Sequence, residues 1–284
     1  MAKLTIPSNP ALMDLVDCKP NIVFSAPASE ELALQMLKPM WKSEGGKGFP
    51  LVVFIQGSAW TKPNQFWQIP QLSQLARRGF VIASVTHRAC WTDPAPAFLK
   101  DVKTAIRYLR ANAAEYDIDP DRVCAWGTSS GGNTALLLGL TEGDSAFETE
   151  DYADQPSSVK AVVDCFGPTD LVKMIDVQYL WMPRNDENQL WALGGRSDET
   201  CHDLLNLISP VKYVTPGRTL PPFLILHGDA DDVVLYEDSE ALYNKLIENG
   251  YSADFVHVTG APHEDNFWSP ELLEIIFSFI EKNV

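Results

Sequence analysis

Three observations predict an α/β protein built on a mostly parallel sheet. Continuous apolar, β-branched runs such as Pro50–Ile55 and Phe80–Val85 read as strands buried on both faces. Segments with helical spacing of apolar residues separate those runs, and alternation of this kind implies parallel strands with helices on both faces. Finally, the apolar run Val123-Cys124-Ala125-Trp126 passes directly into Gly127-Thr128-Ser129-Ser130-Gly131, and helical residues Asn133 to Leu140 follow. Right-handed crossovers place the C-terminal ends of parallel strands on one edge, where such sheets bind ligands.

In chain order, residues 21–25 and 32–37 read as two short strands, and Ser43 to Gly48 as a turn into the strand at 50–55. Helical spacing at Ile69, Leu72, Leu75 and Ala76 stops at Gly79. The strand at 80–85 follows. Residues 97–116 carry Phe98, Val102, Ala105, Ile106, Leu109 and Ala113 on one face, the pattern of an amphipathic helix. Asp117 to Asp121 reads as the turn into the strand at 123–126. Beyond the helix ending at Leu140, 143–158 is an acidic loop, and 159–166 is a strand closed by Gly167-Pro168. Residues 168–210 break the alternation and read as a lid-like insertion over one face of the sheet. Strand 222–228, helix 238–249, strand 253–258 and helix 270–282 complete an eight-stranded pattern. Without a repeat, a low-complexity stretch or a linker, residues 1–284 are expected to form a single domain.

Composition narrows the chemistry. With 22 basic and 38 acidic residues the formal charge is −16. Such a surface repels nucleic acid and anionic membranes and disfavours polyanionic substrates. Five widely spaced cysteines without a C-x-x-C suit a reducing compartment. Met1 to Pro7 lacks a long apolar core, and no run of 18 uncharged apolar residues occurs. No signal peptide, no membrane span and a cytoplasmic location are therefore expected. No metal or other cofactor is expected, and no pattern sets the oligomeric state.

A serine at a strand-to-helix corner is pushed out of the sheet, with its hydroxyl at a helix N-terminus that favours developing negative charge. Gly127 and Gly131 would then have to lack side chains so that neighbouring backbone can pass. The motif alone is weak, since chance supplies it in roughly one chain in ten of this length. Its bland alternative is a capping turn with Ser129 or Ser130 as N-cap. A serine nucleophile also needs a base and an orienting carboxylate. His263 stands in a loop after the last strand, at the expected edge. His257 reads as a sheet residue and His227 as a packed turn residue; His87 ends a strand, and His202 lies in the insertion. For the carboxylate, Asp229, Asp231 and Asp232 compete in one turn, with Asp170 a fourth candidate better suited to capping. Spacing favours Asp231 modestly. Oxyanion donors are expected from the amide of Ser130 and from the loop Gln56-Gly57-Ser58-Ala59-Trp60, through Ser58 or Ala59.

With Asp101 to Asn112, Asp119 to Val123, Gly127 to Gly132, His227 to Asp231 and Gly260 to His263 in view, the chain resembles the α/β-hydrolase superfamily from about residue 20 onward. Within it, the chain looks close to the bacterial esterase/lipase branch that includes bifunctional feruloyl and acetylxylan esterases. The resemblance implies an α/β-hydrolase fold, with Ser129 as nucleophile, Asp231 as acid and His263 as base. Two positions depart from the family's His-Gly-Gly-x-Trp loop. Gln56 stands for its histidine, and Ser58, standing for a glycine, would have to take up that glycine's backbone angles. His87 stands where the family often has tyrosine.

The resulting expectation is a serine carboxylesterase acting on small acyl or aryl esters of acetyl or feruloyl type, through an acyl-enzyme. Trp60, Trp91, Trp181 and Trp268, with Phe66 and Trp67, are candidates for an aromatic pocket, and core packing explains each of them equally well. The alternatives are an amide hydrolase like the arylformamidases, which share the fold, and a non-catalytic ligand-binding homologue. The retained Ser, Asp and His argue against the last.

Overall fold

The computed structural model describes residues 3–27 and 30–284. Eight strands form one sheet: β1 (Val16–Ser25), β2 (Leu32–Pro39), β3 (Phe49–Ile55), β4 (Val81–Val85), β5 (Ile118–Thr128), β6 (Ala161–Cys165), β7 (Phe223–Gly228) and β8 (Ala253–Val258). Their order is β1-β2-β4-β3-β5-β6-β7-β8. β2 pairs antiparallel with β1 and β4, and every other pairing is parallel. Nine α-helical segments accompany the strands among the described residues: α1 (Ile69–Ala76), α2 (Ala97–Ala111), α3 (Ala113–Tyr116), α4 (Ser130–Leu140), α5 (Leu171–Lys173), α6 (Gln189–Leu193), α7 (Asp198–Leu207), α8 (Tyr236–Glu248) and α9 (Pro270–Asn283).

Alternation along the central strands feeds two cores. Leu51, Val53 and Ile55 of β3 pack with α2, α4 and α8 on one face. Val52 and Phe54 pack with α1 and α9 on the other. Covering both faces is why β3 and β4 are buried at every residue and read as unbroken apolar runs. The mostly parallel eight-stranded sheet is the one expected.

Several boundaries differ from expectation. The helix expected over 97–116 breaks at Asn112 into α2 and α3, and left-handed Asp117 (φ 57°) closes the second piece. The turn expected at 117–121 lies inside β5: Phe49 pairs with Ile118, but Leu51 pairs with Val123. The intervening Asp-Pro-Asp-Arg residues are the turn-forming signal, absorbed as a register shift. α4 begins at Ser130 rather than Asn133, so Gly131 and Gly132 are helical while Gly127 lies in β5. β1 starts five residues before its expected start, because the polar stretch before Asn21 pairs with β2 along an exposed edge.

The insertion consists of α5, a π-turn (Met174–Gln178), α6 and α7. Its apolar side chains join the α2/α4/α8 core. It also reaches the C-terminal edge of the sheet. Ala95 N, after β4, donates to Leu193 O, and Gln178 and Tyr179 donate to Val233 O, after β7. Among the described residues no helix is long and apolar enough to cross a membrane.

Candidate active site

Ser129 sits between β5 and α4 with φ 52° and ψ −124°, a conformation L-residues avoid. Close packing holds it there. A Cβ on Gly127 would lie 2.0 Å from Gly131 O, and one on Gly131 would lie 2.0 Å from Ile55 O. The Ser129 amide donates to Cys165 O at 2.9 Å, tying the corner to β6. A plain capping turn does not describe this corner, since the Ser129 side chain makes no capping hydrogen bond.

His263 and Asp231 meet Ser129 from the turns after β8 and β7. His263 Nε2 lies 3.0 Å from Ser129 Oγ, and His263 Nδ1 lies 2.7 Å from Asp231 Oδ2. The two turns interlock: Ala230 N donates to Ala261 O, and a Cβ on Gly228 would lie 2.2 Å from that oxygen. The Asp231 side chain is closed to solvent. Its Oδ1 accepts the amides of Val233 (2.8 Å) and Val234 (2.9 Å). Burial by itself would raise this carboxyl's pKa. The donors from His227, His263 and Val234 outweigh burial and hold it well below the usual carboxylate range. An ionised carboxylate beside His263 Nδ1 is an arrangement that can orient an imidazole and balance a positive charge on it.

The competing residues are engaged elsewhere. Asp229 accepts Gly260 N and pairs with His257, and these contacts lower its pKa. Asp232 is exposed, and Asp170 accepts Lys173 N as the cap of α5. His257 lies on β8, and His202 pairs with Asp176 inside the insertion. Buried His87 directs Nδ1 at Arg88 O and makes no hydrogen bond to the relay.

His227 carries more than turn packing. Its Nε2 faces two acceptors, Asp231 Oδ2 at 3.1 Å and Val234 O at 2.9 Å, and its Nδ1 lies 2.7 Å from Ser239 Oγ. The two acceptors place the proton on Nε2, so His227 is a donor that positions Asp231. The spacing of four between the two residues is the sequence signal for it. Phe166 also packs on His263: its buried ring stands edge-to-face with the imidazole at 4.7 Å.

The loop after β3 is fastened from beneath. Thr128 Oγ1 accepts Gly57 N at 2.9 Å and Gln56 Nε2 at 3.3 Å, so buried Gln56 anchors this loop. Ser58 does not adopt the left-handed backbone that a glycine there could have required. The positive φ angles fall on Ala59 (49°) and Trp60 (57°) instead. Ser58 and Thr61 exchange reciprocal hydroxyl-to-carbonyl bonds of 2.7 and 2.6 Å. The Ser58 amide is already occupied, donating to Ser130 Oγ at 2.9 Å. Among the described residues the Ala59 amide has no partner, and the Ser130 amide, first in α4, has no acceptor within its helix.

Of the tryptophans considered for a pocket, Trp60 is enclosed in the core against Phe98, while Trp91 and Trp181 reach solvent. Trp268 is half-buried against Phe166 and Phe267 and donates Nε1 to Glu264 Oε2 at 2.9 Å. Phe66 and Trp67 are exposed. Burial raises the pKa of Glu264, the neighbour of His263, against the opposing bond from Trp268.

The family profile described as BD-FAE matches residues 38–246. Esterase LipC of Mycobacterium tuberculosis is 29% identical over 226 residues, covering 76% of this chain and 53% of that protein. Isoprenylcysteine alpha-carbonyl methylesterase ICME of Arabidopsis thaliana is 25% identical over 219 residues, covering 77% and 51%. The chain thus spans about half the length of the curated relatives it matches. Among solved structures, a truncated carbohydrate esterase from gut microbiota is 28% identical, with a TM-score of 0.79 and coverage of 97% of this chain and 98% of that one. The thermophilic esterase Est2 of Thermogutta terrifontis, at 24% identity, TM-score 0.75 and coverage of 97% and 96%, shares the fold. The sheet order, the serine elbow and a profile match over most of its length agree: this chain has the α/β-hydrolase fold and belongs to the BD-FAE family.

Proposed function

We propose that this chain is a serine carboxylesterase. One observation carries the reading: His263 bridges Asp231 Oδ2 at 2.7 Å and Ser129 Oγ at 3.0 Å, with Ser129 held at a strained strand-to-helix corner. In the first half-reaction Ser129 Oγ attacks the ester carbonyl carbon while its proton passes to His263 Nε2. The carbonyl oxygen becomes an oxyanion beside the N-terminus of α4. Collapse breaks the carbon–oxygen bond to the alcohol, which leaves with the proton from His263. Water then attacks the acyl-enzyme, gives a proton to His263, and the acid departs as that proton returns to Ser129. Asp231 stays ionised throughout, consistent with its depressed pKa.

The substrate is proposed to be a small acyl or aryl ester, of acetyl or feruloyl type. Support comes from the exposed aromatic rings on the loops after the strands, Trp91 and Trp181 among them, and from the carbohydrate esterase at 28% identity. Hydrolysis of a graded ester panel, from p-nitrophenyl acetate to acetyl and feruloyl sugars, tests the substrate class. Loss of all turnover in Ser129→Ala tests the nucleophile. Residual activity above a few per cent in that variant, or preferential cleavage of N-formyl-arylamines, would overturn the reading.

A further inference from the structure

The Ser58 amide is one of the two loop amides expected as oxyanion donors, but its proton is directed at Ser130 Oγ, 2.9 Å away. A serine hydroxyl has two acceptor positions and one proton. Here the Ser58 amide fills one acceptor position, and among the described residues the hydroxyl proton has no acceptor. Ser130 is only 1% exposed, so bulk water does not supply one either. This unspent donor belongs to the residue directly after the nucleophile, at the first position of α4, where the backbone amide is also free.

We propose that the Ser130 hydroxyl is itself an oxyanion donor in this chain. The Ser58 amide would stand behind it in a chain that runs from N–H to hydroxyl to oxyanion. The inference rests on Ser129 being the nucleophile. A hydroxyl that accepts a hydrogen bond becomes a better donor, because successive bonds polarise one another. Three donors then converge on the developing charge: the Ser130 amide, the Ser130 hydroxyl and the Ala59 amide. The hydroxyl rotates and the amides do not, so it forms its bond as the carbonyl oxygen moves toward its tetrahedral position. Its contribution is consequently larger in the transition state than in the bound ester, which is the condition for raising kcat.

The test is Ser130→Ala, assayed for p-nitrophenyl acetate turnover, for inhibition by phenylboronic acid and for thermal melting. Loss of one such donor typically lowers kcat by about 100- to 1000-fold. A smaller fall, about 10- to 100-fold, is expected here because the released Ser58 amide substitutes in part. KM and Tm should stay near the parent values, and the boronate inhibition constant should rise by the same factor as kcat falls. A kcat within twofold of the parent overturns the proposal, and so does a lower kcat with an unchanged boronate constant. Ser129→Ala in the same assays separates the two ideas. If Ser129→Ala is inert and Ser130→Ala runs at the parent rate, only the hydroxyl's role is lost. If Ser129→Ala still turns over, the nucleophile reading fails as well.

Discussion

His227 and Asp231, four residues apart at the end of β7, meet at 3.1 Å with both side chains closed to solvent. The contact links a buried imidazole, held by Ser239 from α8, to the carboxylate that meets His263 Nδ1. His227→Ala should therefore affect stability and rate together. Losing a buried donor to a charge costs about 2–4 kcal/mol. A urea titration should show that loss, and kcat should fall at least tenfold, with His227→Gln recovering part of each. An alanine variant with the parent's stability and kcat would reduce His227 to a packing residue.

Asp231→Asn and Asp229→Asn separate the two acids of one turn. The first keeps the shape but removes the negative charge beside His263 Nδ1, and on the proposed mechanism kcat should drop by about 10³- to 10⁴-fold with KM little changed. The second touches only a solvent-facing contact with His257 and Gly260, and kcat should stay within about threefold. The reverse ranking in steady-state kinetics would transfer the role to Asp229.

Asp164 is fully buried in β6, with Gly167 N on Oδ1 at 3.0 Å and, among the described residues, no partner for Oδ2. Burial lifts its pKa well above the ordinary carboxyl value, so the folded protein holds a proton that the unfolded chain releases above pH ~4. The parent's stability should then fall as pH rises from that point toward the folded-state pKa, by up to about 1.4 kcal/mol per pH unit from this group. Asp164→Asn cannot ionise, so its stability relative to the parent should improve between pH 5 and pH 8. Denaturant unfolding at both values decides the matter, and a constant difference would refute it.

Gly131→Ala should fail where a glycine-to-alanine change in a loop succeeds. At Gly131 the added methyl meets the backbone oxygen of Ile55 at 2.0 Å, and neither element can retreat without breaking the corner. Destabilisation above about 4 kcal/mol, or no folded protein at all, is expected. Gly143 also has positive φ (73°) but nothing near its Cβ position. There alanine should cost about 1–2 kcal/mol, the strain of the left-handed conformation alone. Comparable soluble yields and melting temperatures for the two variants would contradict this contrast.

Much of the sheet was legible because burial on both faces makes a strand such as β3 uniformly apolar. β1 was half hidden because an exposed edge strand places no such demand on Asp17, Lys19 or Pro20. The meeting of Ser129, Asp231 and His263 was legible from topology, since each follows a parallel strand whose C-terminal end lies on the same edge. Choosing among three aspartates was harder, because the choice depends on which carboxylate the amides of Val233 and Val234 enclose. The occupied Ser58 amide was invisible in sequence. Whether Ser130 Oγ turns toward that loop is a matter of rotamer, and residue spacing carries no rotamer information.

β6 and β7 are neighbours in register, Val162 beside Phe223, although the whole insertion lies between them in the chain. The sheet therefore does not measure the length of what it spans. An exchange of residues 171–207 between relatives would leave the elbow and the turn of Asp231 on the same strands, while the segment that meets the C-terminal edge through Gln178, Tyr179 and Leu193 would be new. In such a scaffold selectivity can drift quickly while the chemistry stays still, and a library confined to that stretch is the economical way to redirect this protein.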